Sequence, residues 1–192
     1  MLYGHTFPIK SRKDIVFYGF DKNKLSFLGL SLQLNSLLKQ DSIMIPYPIE
    51  FAKPEDAWAL LELVRELAVY EKAEQDVRTT AKDYEEGLRG GLFKAIIARS
   101  ESGTIDGMAL YYPIFSTWNG MTMYLEDFIV RERLRGQGIG RLLFERWIED
   151  SRHSGAKMLK WQVLDWNEPA KKFYEHYGAD FIKGWENGII KL

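Results

Sequence analysis

Cysteine is absent from this 192-residue chain. Disulfides, thiolate metal sites and a cysteine nucleophile are excluded with it. Neither sign of charge is in excess, since 26 Lys and Arg stand against 27 Asp and Glu for a formal net charge of −1. A protein that holds nucleic acid by neutralising phosphates carries a basic surplus, so a nucleic-acid partner is not expected. Histidine is scarce: His5, His153 and His176 lack metal-ligand spacing and read as surface residues, and no metal site is expected. Long apolar runs are missing too. The nearest approach, residues 17–38, is interrupted by Asp21, Lys22, Asn23, Lys24, Gln33 and Asn35, short of the roughly 18 to 20 apolar residues of a membrane span. No small-residue cleavage pattern comes after it, so the reading is a cytoplasmic protein with no membrane partner.

The most informative stretch that is present is Arg135-Gly136-Gln137-Gly138-Ile139-Gly140. It lies between a strand-like run ending at Val130 and a helix-like run starting at Ile139. Glycines at alternate positions bare a row of backbone N–H groups, and the adjoining helix N-terminus makes that row a cradle for phosphate oxygens. A dinucleotide fingerprint would need glycine where Arg141 stands, and a P-loop would need Gly-Lys-Ser/Thr at the end of the turn. Neither fits. On these residues alone, a glycine-rich turn without a ligand stays open.

The chain is 46% apolar, enough at this length for one domain with a real core. Residues 1–43 show no clean helical or strand period. From Pro54 the pattern becomes regular: Ala57, Leu60, Leu61, Val64, Leu67 and Ala68 share one helical face. Thr80 with Asp83 predicts the start of a second helix. Strands are predicted over Leu92–Arg99, Ile105–Phe115 and Met121–Val130. Ile139, Leu142, Leu143 and Trp147 then mark a helix that Gly155 terminates, with a strand after it over Met158–Leu164. A last helix starts at the N-cap residue Asn167, with Pro169 in its first turn and Ala170, Phe173, Tyr174 and Tyr177 on one face. Short strands near Ala179–Trp185 and Ile189–Leu192 complete the pattern. The β-α-α-β-β-β-α-β-α-β order predicts an α/β fold with a mixed central sheet flanked by helices.

Three ordered segments, Met123 to Val130, Arg135 to Gly140 and Val163 to Tyr174 with Trp166-Asn167-Glu168-Pro169 inside it, closely resemble the GNAT superfamily of N-acetyltransferases. Within it they resemble the diamine N-acetyltransferases, which act on spermidine, spermine or thialysine. The resemblance covers about Ile45 to Trp185, so the expected domain is 44–192. Residues 1–43 are then an atypical extension: a start codon set too far upstream, a weakly ordered segment, or a genuine leader or partner-binding arm.

The resemblance implies an acetyl-CoA-dependent enzyme that acetylates a primary amine by direct attack, and a homodimer. Chemically, the protein must bind coenzyme A, free the amine lone pair and reprotonate the leaving thiolate. By resemblance, the amides of Gly136, Gln137, Gly138, Ile139 and Gly140 hold the pyrophosphate, with charge from Arg135 and Arg141. Phe128, Ile129 and Val130 match the segment whose backbone pairs with the pantetheine arm, and Asn167 and Ala170 match cofactor contacts. Tyr174 matches the general acid, and Glu126 the residue that binds the ammonium and relays its proton through water. Tyr70 and Glu71 match a substrate pair, and Lys160, Trp161 and Gln162 lie on the substrate-side strand. Lys160 departs from what a polycation pocket favours, which brings a shorter amine bearing a carboxylate into competition.

In a regular strand Glu126 and Asp127 point to opposite faces, so only one of them joins Tyr124 and Phe128 in the cleft. By resemblance that one is Glu126. Asp127 then faces away, or the sheet is irregular there. Two rival functions stay open on the sequence: a non-catalytic acyl-CoA-binding regulatory domain, and an acetyltransferase of protein N-termini.

Overall fold

The computed structural model describes residues 47–184 and 186–190. The expected boundary near Met44 and His5 lie outside the described residues. Among the described residues, five strands form one sheet in the order β1-β2-β3-β4-β5: β1 Ile49–Phe51, β2 Lys94–Arg99, β3 Ile105–Ser116, β4 Gly120–Val130 and β5 Met158–Trp161. The first four pair antiparallel, and β5 adds in parallel to β4, so the sheet is mixed as its sequence pattern predicts. Four α-helices among the described residues flank it: α1 Ala57–Glu71, α2 Ala81–Gly90, α3 Ile139–His153 and α4 Glu168–His176.

Local chemistry explains the helix ends. A 3-10 turn at Pro54–Asp56 leads into α1, since the fixed φ of proline suits a first turn. Thr80 accepts from the Asp83 amide while the Asp83 carboxylate accepts from the Thr80 amide at 2.7 Å, the reciprocal cap expected at the start of α2. Asn167 caps α4 by accepting from the Ala170 amide at 3.2 Å.

Period-two alternation sends the strands' side chains into two cores. On one face Ile96, Ala98, Ala109, Tyr111, Met123 and Leu125 meet Ile139, Leu143, Phe144 and Trp147 of α3. On the other, Ala95, Ile97, Met108, Leu110 and Ile129 meet Ala57, Leu60, Leu61 and Leu63 of α1 and Tyr84 of α2.

One irregularity interrupts this alternation. Leu110 pairs with Asp127 but Tyr111 pairs with Leu125, so Glu126 is the extra residue of a β-bulge. The bulge shifts the alternation by one. Leu125 lies on the α3 face, and beyond the bulge so do Phe128 and Val130, while Asp127 and Ile129 fall on the α1 face. Tyr124 and Phe128, expected to share a face, therefore sit on opposite ones.

Pairing of β4 with β5 stops at Leu125 opposite Trp161. Residues 126–130 thus keep β3 on one side and have no strand on the other among the described residues, and β5 ends three residues before the predicted Leu164. Strands expected near 179–185 and 189–192 are also not formed over the described residues 179–184 and 186–190. Gly184 turns the chain with φ +87°, no ladder partner is present, and Ile182, Ile189 and Ile190 remain exposed. Among the described residues, no helix is long and apolar enough to cross a membrane.

Candidate functional site

The glycine loop lies beside the unpaired stretch of β4. Gly136 and Gly138 take φ +76° and +85°, the left-handed region that suits glycine, and a Cβ on Gly136 would meet nothing within 4 Å. Gly138 caps α3 without a side-chain hydrogen bond, and no acidic residue occupies the first turn. The first amides of α3 therefore keep their capacity to donate to an anion. Arg135 donates to the Val130 carbonyl at 3.0 Å and lays its guanidinium 5.1 Å from the Tyr70 ring centre, while Arg141 and Gln137 are exposed.

A buried carboxylate holds the approach to this loop. Asp106, 2% exposed, accepts from Arg133 at 2.7 Å and lies 3.9 Å from Arg131, which also pairs with Glu66 at 3.2 Å. The Arg131 amide donates to the Asp106 carbonyl at 2.9 Å. These contacts fix the 3-10 turn Glu132–Leu134 that delivers the chain to Arg135.

On the α3 face, Tyr174 is enclosed by rings. Its centre lies 4.8 Å from Trp161, 5.5 Å from Phe144 and Phe173 and 6.4 Å from Phe128. Burial pushes its phenol well above the usual value, so the hydroxyl stays protonated at physiological pH. Trp161, expected on the substrate side, instead belongs to this cage, because its place in β5 turns it toward Phe144 and Trp147. Tyr70 also departs from its expected place. Its hydroxyl donates to the Asn167 side chain at 3.3 Å and its ring lies 5.6 Å from Trp166, which ties it to the loop and to the start of α4.

The other face gathers acid. Glu126 is exposed at the bulge and accepts from the Tyr112 hydroxyl at 2.6 Å, with Tyr112 packed on Tyr124 at 5.6 Å. Asp127, more buried, has its carboxyl pushed up to about 7 by desolvation, then by the charges of Glu126 and Glu71. Desolvation also raises Glu71, and burial raises Tyr84, whose phenol feels both Asp127 and Glu126. Lys160 pairs with Tyr124 across the β4–β5 ladder and is exposed, and Gln162 donates to Asn187 at 2.6 Å. Around residues 126–130 the glycine loop thus supplies amide donors, the α3 face a protonated phenol and the α1 face three carboxylates.

Residues 57–179 match the model of the Acetyltransferase (GNAT) family. The chain belongs to that family. It is similar to the thialysine N-epsilon-acetyltransferase of Mus musculus, 33% identical over 153 residues that cover 71% of this chain and 88% of that one. The enzyme of the same name from Caenorhabditis elegans is 35% identical over 148 residues, 72% of this chain and 88% of its own. Among solved structures, an aminoglycoside acetyltransferase from a soil metagenomic sample, in complex with sisomicin, superposes with a TM-score of 0.66 at 17% identity, covering 79% of this chain and 99% of that one. That last likeness concerns the fold. As a GNAT protein the chain is an acyltransferase.

Two features of this GNAT site are not legible in the sequence pattern alone. A regular strand would turn Asp127 away from the cleft, and a bulge leaves no mark in the strand that carries it. The Tyr112 contact needs the β3–β4 register. Asp106 has a signal, a carboxylate between Ile105 and Gly107 in an otherwise apolar strand.

Proposed function

We propose that the protein transfers an acetyl group from acetyl-CoA to a primary amine of a diamine, a polyamine or a lysine-like amino acid, by direct attack within a ternary complex. The observation that carries this reading is the opening beside β4, with the uncapped N-terminus of α3 at one end and Glu71, Glu126 and Asp127 on its flank. The residues fit the co-substrate: two left-handed glycines, the first of them in open space, the first amides of α3 and no acid in its first turn accept a pyrophosphate. Arg135 and Arg141 add positive charge at the loop, and residues 128–130 offer an edge with no neighbouring strand to an extended arm, the Val130 carbonyl being held by Arg135. Asn167 and Ala170 set the start of α4 beside it.

Bound acetyl-CoA supplies an activated thioester. Tyr174 holds a proton at its hydroxyl for the leaving sulfur, and the rings around it exclude water. Glu126 and Glu71 attract the ammonium. Lys160, next to Tyr124, favours an amine that also carries a carboxylate, as in the lysine analogue named for the mouse relative. The same reading takes the protein as cytoplasmic and as a homodimer, for which exposed Phe115, Trp118, Ile182 and Ile190 offer apolar surface. Thiol release from acetyl-CoA in the presence of putrescine, spermidine, spermine, lysine, thialysine or short peptides tests the function. Release with one amine class establishes it; no release with any of them refutes it.

A further inference from the structure

Two adjacent carboxylates share the amine side of the opening, and they differ in what holds them. The bulge at Glu126 places both on the same flank, since Glu126 is the residue without a partner in β3 and Asp127 pairs with Leu110. One Glu126 oxygen accepts from the Tyr112 hydroxyl at 2.6 Å, and Tyr112 is itself packed on Tyr124, so this carboxylate is held in one place by a short hydrogen bond. Asp127 has no donor: among the described residues no N–H or O–H hydrogen-bonds its side chain. It faces Glu71 from α1, Tyr84 from α2, Tyr112 from β3 and Glu126 beside it on β4. Tyr84 is engaged with Thr79, and Lys160 on β5 is exposed.

We propose that Asp127, rather than Glu126, takes the proton from the substrate ammonium, and that Tyr112 is a positioning residue that holds Glu126 as the cation's binding partner. This rests on the acetyl transfer proposed above. One ammonium proton passes to a carboxylate oxygen of Asp127, and the freed lone pair forms the C–N bond as the C–S bond breaks. The sulfur takes the hydroxyl proton of Tyr174, whose oxygen is refilled by the second proton leaving nitrogen. The proton on Asp127 departs to water with the product. An unpaired carboxylate beside two other acids has the proton affinity for this task, while Glu126 has an oxygen already occupied by a phenol.

The test follows thiol release from about pH 5.5 to about pH 9 over a range of amine concentrations for the wild type, Asp127→Asn, Glu126→Gln and Tyr112→Phe, with acetyl-CoA binding by calorimetry as the control. The expected wild-type kcat/KM for the amine rises through an inflection at about 7, the value of the amine-free enzyme. Asp127→Asn lowers kcat by about 10²- to 10³-fold and abolishes the inflection with acetyl-CoA binding intact. Glu126→Gln and Tyr112→Phe raise the amine KM by about tenfold and keep the inflection. Wild-type kcat and inflection in Asp127→Asn, or loss of the inflection in Glu126→Gln, overturn the assignment. If Asp127→Asn no longer binds acetyl-CoA, the inflection of Glu126→Gln decides: kept, it supports Asp127; lost, it refutes it. A wild type that releases no thiol with any amine overturns the function and the role together, whereas an active wild type matched by Asp127→Asn overturns the role alone.

Discussion

The two faces of β4 between Glu126 and Val130 are built to opposite specifications. Toward α3, Phe128 and Val130 enter an aromatic core in which Phe144 touches Trp147, Trp161, Phe173, Tyr174 and Tyr177 with ring centres 4.8 to 5.8 Å away. Toward α1, the same strand presents Asp127 beside Glu126 and Glu71. Low polarity on the first face keeps a phenol protonated, and on the second desolvation, then the charges of neighbouring acids, raises a carboxyl's proton affinity. Desolvation acts on both sides, and a single inserted residue decides which side chain receives it.

Removing the centre of the apolar face should have the largest effect. Phe144→Ala should destabilise the protein by about 3 to 5 kcal/mol in denaturant unfolding, because the rings around it, Phe128 included, lose their shared neighbour. A loss under about 1 kcal/mol would mean the rings collapse into the gap.

Asp106→Ala should come next, at about 2 kcal/mol, since it removes the partner of Arg133 and leaves Arg131 with Glu66 alone. It should also raise the KM for acetyl-CoA by releasing the approach to the glycine loop, and an unchanged KM would limit Asp106 to stability.

Tyr174→Phe sharpens the comparison from the chemical side. The ring and its packing remain while the proton donor goes, so turnover should fall about 10²-fold with acetyl-CoA affinity unchanged. Equal turnover would move the acid elsewhere.

The acidic face should show itself in stability against pH. Asp127 binds its proton more tightly folded than unfolded, so between the ordinary carboxylate range and about 7 the native state holds the extra proton. Stability should therefore decline as pH rises through that window and level off above it, and Asp127→Asn should flatten the curve. Thermal melts from about pH 5 to about pH 8 measure it, and a slope unchanged in the variant would remove Asp127 as its source.

The smallest effect belongs to Gly136→Ala, which places a side chain at φ +76° in open space. A cost of about 1 kcal/mol in stability is expected, with weaker acetyl-CoA binding where the loop amides tilt. Affinity unchanged to calorimetry would take the Gly136 amide out of the cradle.

Much of this molecule is legible in its residues. The reciprocal cap at Thr80 and Asp83, the Asn167 cap, the α1 stripe and the glycine loop come from short-range rules, because each is completed within a few residues of chain. Tyr70 and Trp161 depart from their expected places because their partners, Asn167 for one and Phe144 and Tyr174 for the other, come from distant elements. Over the described residues 179–184 and 186–190 the expected terminal strands fail for a related reason: β propensity makes no strand where no ladder partner stands.

By itself, then, the sequence determined the element order as far as the last helix, the glycine turn and the family, since these depend on local periodicity, glycine chemistry and motif spacing. Only the tertiary structure decided which carboxylate is tied and which is free. That choice depends on the offset between β3 and β4 at Tyr111 and Leu125, and strand register is set by pairing and burial across the sheet rather than by either strand alone.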